Sequence, residues 1–204
     1  MSNSGPEYLI YRDLRRKILQ GQIHDGERLV ETALAASYQA SRLHIKSALR
    51  LLEQEQLARH IPQCGFAARG LDEEAFGEII ELRIALERVV FARLAEKASQ
   101  EQVAHLSKIV RRVAAFLSTD MLEDAMEEVD DFYGYAYEIS GLNRITAILQ
   151  TYGDYLKIIR RRSASDAARN EASLRILQAL VGALEKRDAA EVLRQVERRR
   201  DESD

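Results

Sequence analysis

Both prolines of this 204-residue chain, Pro6 and Pro62, lie in its first 62 residues. Proline removes a helix hydrogen bond and its ring clashes with the preceding turn, so nothing after residue 62 forbids long helices. From Asp72 onward the pattern predicts helix after helix, over 72–98, 100–117, 121–140, 143–162, 167–187 and 189–202. The starts carry capping chemistry. Ser99 with Gln102, Asp120 with Glu123 and Asp188 with Glu191 each fit a capping box. The expectation for residues 70–204 is an all-helical bundle of about six helices.

The first 69 residues read differently. The pattern gives a helix over 8–20, a turn at 21–27, helices over 31–38 and 41–55, and two short extended pieces at 57–61 and 65–69. Between those pieces lies Pro62-Gln63-Cys64-Gly65, a hairpin-like turn. Helix, helix, helix and hairpin within 70 residues is a winged helix-turn-helix layout. The fold class expected is therefore mainly α, with a winged domain at 1–69 and the bundle at 70–204.

No apolar run approaches the roughly 20 residues that span a membrane, and the N-terminus lacks the apolar core of a signal peptide. With one cysteine there is no internal disulfide, which fits a reducing cytoplasm. The net charge of −3 would argue against nucleic acid, but charge is unevenly placed. Residues 1–69 hold ten Lys/Arg against seven Asp/Glu, and the remainder holds twenty against twenty-six. A mildly basic head sits on an acidic body.

In the second and third helices, Ile45, Ala48, Leu49 and Leu52 recur with helical spacing and form a buried stripe. Arg42, Lys46 and Arg50, spaced by four, run beside it, and Ser41 stands where an N-cap belongs. A recognition helix needs this: an apolar face on its scaffold and a polar N-terminal end at base edges in the major groove. Periodicity alone fits equally an ordinary amphipathic helix with a solvated basic edge. The order of elements favours the DNA reading.

Residues 8–69 also resemble the DNA-binding domain of the GntR superfamily of bacterial repressors. The resemblance lies in Ile18-Leu19-Gln20-Gly21-Gln22-Ile23, Gly26-Glu27-Arg28-Leu29, Leu34-Ala35, Ala40-Ser41-Arg42, Ala48-Leu49-Arg50-Leu51-Leu52-Glu53 and Pro62-Gln63-Cys64-Gly65. The rest resembles the FadR-type (FCD) effector domain through Glu81-Leu82-Arg83-Ile84-Ala85-Leu86-Glu87, Asp131-Phe132 and Asp188-Ala189-Ala190. Six helices would suggest its shorter, VanR-like branch. The resemblance implies DNA contacts at Thr32, Ser41, Arg42, His44, Lys46 and Gly65, to which the basic stripe adds Arg50. Arg42 is the candidate for bidentate contact with guanine, Ser41 for a phosphate at the helix N-terminus, and Lys46 for a phosphate point charge. Leu43-His44 departs from the Thr-Pro common there. Cys64 is read as a plain wing residue rather than a redox group.

Many members of this branch hold a divalent metal with one Asp and three His. By resemblance those positions fall at Val129, Tyr133, Ser173 and Arg199. The four histidines are His24, His44, His60 and His105, and only His105 lies in the bundle, on a different helix. The expectation is that the metal, and any other cofactor, is absent. Arg83 lies on the apolar line Phe76, Ile79, Ile80, Leu86 and Val90, where a guanidinium needs an anionic partner. One reading is a surface pair with Glu87. The other is a clamp on the carboxylate of a small organic effector, with Tyr133, Tyr137, Ser173 and Arg199 lining the same cavity. Tyrosines with hydroxyls in water, and a solvated Arg198-Arg199-Arg200 helix end, are the plainer alternatives.

No nucleophile-base pair, phosphate-cradling glycine loop or metal cluster points to an enzyme. The remaining rival is a protein-binding helical module, with the bundle serving only dimerisation or protein contacts. The expected partners are double-stranded operator DNA carrying an inverted repeat, a second copy of the chain, and an organic acid, with no membrane.

Overall fold

A computed structural model describes residues 5–70, 72–162 and 166–201. The chain divides into two compact units, residues 1–75 and 76–204. Among the described residues no helix is long and apolar enough to cross a membrane.

In the first unit α1 (Pro6–Leu19) leads to strand β1 (Arg28–Leu29), then α2 (Glu31–Ser37), α3 (Arg42–Gln54), β2 (Ala58–Ile61) and β3 (Gly65–Ala68). Pro6 sits in the first helical turn, where a missing N–H is harmless. The sheet is antiparallel in the order β1-β3-β2. β1 was not expected from the pattern, which placed a turn there. Two residues are too few for periodicity to register, and β1 exists because Arg28 and Leu29 pair with Ala67 and Phe66. Residues 62–64 join β2 to β3, with Ile61 paired to Gly65. Gly65 has φ 85°, a left-handed conformation that glycine reaches without steric cost. Ile45, Ala48, Leu49 and Leu52 are all fully buried, so the apolar stripe of α3 is the core of this unit. Each such aliphatic side chain contributes about 1.5–3 kcal/mol by leaving water.

The second unit is a bundle of α4 (Glu73–Lys97), α5 (Gln100–Ser118), α6 (Leu122–Ile139), α7 (Asn143–Thr151), α8 (Gly153–Arg162), α9 (Ala167–Glu185) and α10 (Ala189–Asp201). The single helix expected over 143–162 is two segments that break at Tyr152 and Gly153. Glycine inside a helix costs about 1 kcal/mol relative to alanine, which makes this the weak point of the stretch. Phe91, Leu106, Phe132, Leu180 and Val196 meet in one core, with the Phe91 and Phe132 rings stacked at 6.4 Å.

Ser99 and Gln102 form the expected capping box, and Asp188 Oδ1 accepts from Glu191 N at 2.9 Å. Asp120 does not cap α6. It takes φ 58° and closes α5, where Met121 N donates back to Phe116 O at 2.9 Å. An N-cap needs extended backbone, whereas Asp is among the residues that tolerate the left-handed C-terminal position. Arg187 covers the end of α4, donating to the carbonyls of Glu96 and Ala98 at 2.9 and 3.1 Å.

Candidate nucleic-acid interface and buried charge cluster

α3 begins where its N-cap dictates. Ser41 Oγ accepts from His44 N at 3.2 Å, which leaves the hydroxyl proton outward-facing chemistry at the helix start. Arg42, Leu43, Lys46 and Arg50 are exposed and His44 is half-buried. The side chain of Arg42 is 69% exposed and lies 3.7 Å from Glu31 at the start of α2. Thr32 is exposed on α2, and Gly65 is half-buried at the base of the wing. The exposed edge of α3 is thus cationic, opposite a fully apolar buried edge. Cys64 is exposed, and its carbonyl accepts from Arg28 at 2.8 Å.

Two polar clamps on α1 hold this helix, and neither was foreseen. At the C-terminal end of α3, Glu55 accepts from Arg15 Nε at 2.8 Å and from Tyr11 OH at 2.6 Å. At the turn before α3, Asp13 Oδ2 accepts from Tyr38 OH at 2.6 Å and pairs with Lys17 at 2.8 Å. Arg15 itself is buried. Charged and hydrogen-bonded anchors at both ends fix the angle at which α3 presents its N-terminus. Burial, then the bond to Asp13, push the Tyr38 hydroxyl upward, so it stays a donor at neutral pH.

The hydrogen bond from Lys17, then that from Tyr38, hold the Asp13 carboxyl well below the usual carboxylate range. A depressed folded pKa stabilises the fold fully above the unfolded value, about 3.9, and that contribution is lost as pH falls toward the folded value. Asp13→Asn is therefore expected to destabilise the first unit by about 1 kcal/mol at pH 7. The gap from the wild type should close below about pH 3. Urea midpoints at the two pH values check this, and an equal gap at both would contradict it.

In the bundle the structure brings Arg83, Tyr133, Tyr137 and Arg199 together around Glu87. All five are buried, Glu87 completely. Tyr137 OH donates to one carboxylate oxygen of Glu87 and Arg199 Nη1 donates to the other. The Arg199 guanidinium carbon lies 4.0 Å from the centre of the Tyr133 ring, a cation–π contact. Burial, and then repulsion from Arg199, push the Arg83 guanidinium down to about 10, while Glu87 opposes the shift. Burial first, then the charge of Glu87, drive the Tyr137 hydroxyl well above its ordinary value.

This corrects the plainer alternatives. Arg83 and Glu87 are not a surface pair, Tyr137 does not have its hydroxyl in water, and Arg199 is not a solvated helix end. Leu86, expected on the apolar line, is only half-buried, while Phe76, Ile79, Ile80 and Val90 are buried. Ser173 is half-buried on α9 and makes no hydrogen bond to the cluster among the described residues. Sequence reading missed the centre of the site, Glu87. Its signal was its place one turn beyond Arg83.

The residues at the positions of the family metal do not fit a cation. Val129 and Ser173 are an aliphatic group and a hydroxyl, Tyr133 lies beneath a guanidinium, and Arg199 is itself a cation. Among the described residues no group of three or more His, Cys, Asp or Glu stands close enough to hold a metal ion. His105 packs instead on Tyr135, ring centres 4.4 Å apart.

Comparison with known proteins matches residues 8–67 to the bacterial regulatory proteins of the gntR family and residues 78–199 to the FCD domain. The gluconate operon transcriptional repressor of Bacillus licheniformis is 39% identical over 98 residues, 48% of this chain and 40% of its own length. That of Bacillus subtilis (strain 168) is 34% identical over 115 residues, 56% of this chain and 46% of its own. The chain thus spans less than half the length of these curated relatives. The solved structure of E. coli McbR/YncC superposes with a TM-score of 0.67 over 97% of this chain and 94% of that one. At 16% identity it shows a shared fold. The chain belongs to the gntR family of bacterial regulatory proteins, in the branch that carries an FCD domain.

Proposed function

We propose that this protein is a sequence-specific DNA-binding transcription regulator, a repressor, acting as a homodimer on an inverted repeat. The observation that carries this reading is α3, with four fully buried apolar residues on one edge and Arg42, Lys46 and Arg50 exposed on the other. Arg42 reads guanine, Lys46 and Arg50 meet phosphates, and Ser41, Thr32, His44 and Gly65 complete the contact. A lone winged helix covers few base pairs, and two copies related by a dyad read two half-sites. The name of two relatives supports the repressor reading.

We further propose that a small carboxylate effector acts at the buried cluster without a metal. The support is electrostatic: Arg83 and Arg199 repel one another across a site where Glu87 supplies one carboxylate. A second carboxylate relieves that repulsion, and paired guanidinium groups suit bidentate binding. Gluconate is the first probe, given the relatives' names. A ligand at a hundred times its Kd stabilises the folded state by about 2.7 kcal/mol. Gluconate or another small organic acid is expected to raise Tm and shift DNA affinity. Arg83→Met is expected to abolish the shift, and chelators to change neither quantity. Stoichiometric zinc or nickel, lost together with DNA binding on adding a chelator, would overturn the metal-free reading.

One observation favours a second reading. Both oxygens of Glu87 already serve Tyr137 and Arg199, as in a cluster complete in itself. The bundle would then be a dimerisation device, and no carboxylate would move Tm.

A further inference from the structure

α4 has two apolar faces. One is the core line with Phe76, Ile80, Ile84, Phe91 and Leu94. The other, roughly opposite, holds Leu82 and Val89, 38% and 48% exposed. Positions 78, 82, 85, 89 and 93 recur at spacings of four and three, so they form one stripe. Glu78 and Ala85 are exposed and Arg93 is half-buried. Neither Glu78 nor Arg93 has an ion-pair partner among the described residues, whereas neighbouring Arg88 is committed to Glu197.

The stripe is its own complement. Leu82 and Val89 are equidistant from a point between Ala85 and Leu86, and so are Glu78 and Arg93, about 22 Å apart at 1.5 Å per residue. A two-fold axis through that point lays a second α4 antiparallel on the first. Each Glu78 then faces an Arg93, and each Leu82 a Val89. Ala85, the smallest side chain of the stripe, falls at the crossing, where axes approach to about 8–10 Å. A parallel pairing would set Glu78 on Glu78 and Arg93 on Arg93, so the charges also reject the wrong orientation.

We propose that the Glu78–Arg93 stripe of α4 is an isologous contact with a second copy of this chain. It rests on the two-copy reading above and adds where the copies meet.

Sedimentation equilibrium of the full chain tests it, with circular dichroism confirming that each variant keeps its helices. The wild type is expected to sediment at twice 23.2 kDa. Glu78→Arg and Arg93→Glu should each raise the dimer dissociation constant at least tenfold, because each replaces two attractive pairs by two repulsive ones. The double variant should return to near the wild-type constant. Mixing the two single variants should give a heterodimer, since every pair across the dyad is again opposite in sign. Val89→Asp should weaken the dimer without rescue by either charge change. A dimer unchanged by the single variants, or a double variant weaker than both, would overturn the proposed face and leave the two-copy reading standing. A monomeric wild type at micromolar concentration would overturn both.

Discussion

Replacing Glu87 by alanine should destabilise the bundle by about 3–5 kcal/mol, the usual result of removing one member of a buried ion pair. The carboxylate is fully buried and its partner Arg199 nearly so. Its loss leaves the Arg199 guanidinium beside Arg83 with no carboxylate at that position, and strands the Tyr137 hydroxyl. Glu87→Gln keeps the shape and one acceptor for Tyr137, so it should cost less. The informative variant changes both partners. Glu87→Leu with Arg199→Leu removes the charge pair together and should recover most of the stability, because well-packed apolar side chains replace buried pairs at little cost. Urea unfolding of the three variants checks this. Equal losses for the single and the double replacement would mean that packing, not charge, holds the cluster.

Arg42→Ala should remove discrimination between operator and random DNA, a loss of about 1–3 kcal/mol for one bidentate base contact. The fold should not change, because the side chain is 69% exposed and its only printed-distance neighbour, Glu31, lies at 3.7 Å. A surface change of this kind stays within about 0.5 kcal/mol in stability. Lys46→Ala should instead weaken binding to all sequences and lower the slope of log K against log salt by about one. Competition binding with specific and random duplexes at several salt concentrations separates the two residues.

The sequence was legible wherever a residue's role followed from its neighbours along the chain. The stripe Ile45, Ala48, Leu49 and Leu52 announced α3 because a buried helix face repeats every three to four residues, and Ser41 announced its start. The absence of proline after Pro62 announced the bundle. What remained hidden depends on partners far away in sequence. Glu55 meets Tyr11 and Arg15 across 44 and 40 residues, and Glu87 meets Arg199 across 112. Local pattern placed Glu87 only beside Arg83, one turn away, and so read the site's central carboxylate as a surface partner. Asp120 misled for a related reason. Asp is suited both to capping a helix start and to closing the previous helix in a left-handed turn, and the spacing to Glu123 does not distinguish the two.

The most direct test of the DNA-reading claim is selection of bound fragments from a genomic DNA library by the full chain, run beside Arg42→Ala. The wild type is expected to enrich one sequence, an inverted repeat whose half-sites lie about one helical turn, or a multiple of it, apart, and to lose it steeply as salt rises. Arg42→Ala should enrich nothing. Failure of the wild type to enrich any sequence, or the same enrichment by both proteins, would contradict the assignment of α3 as the helix that reads DNA.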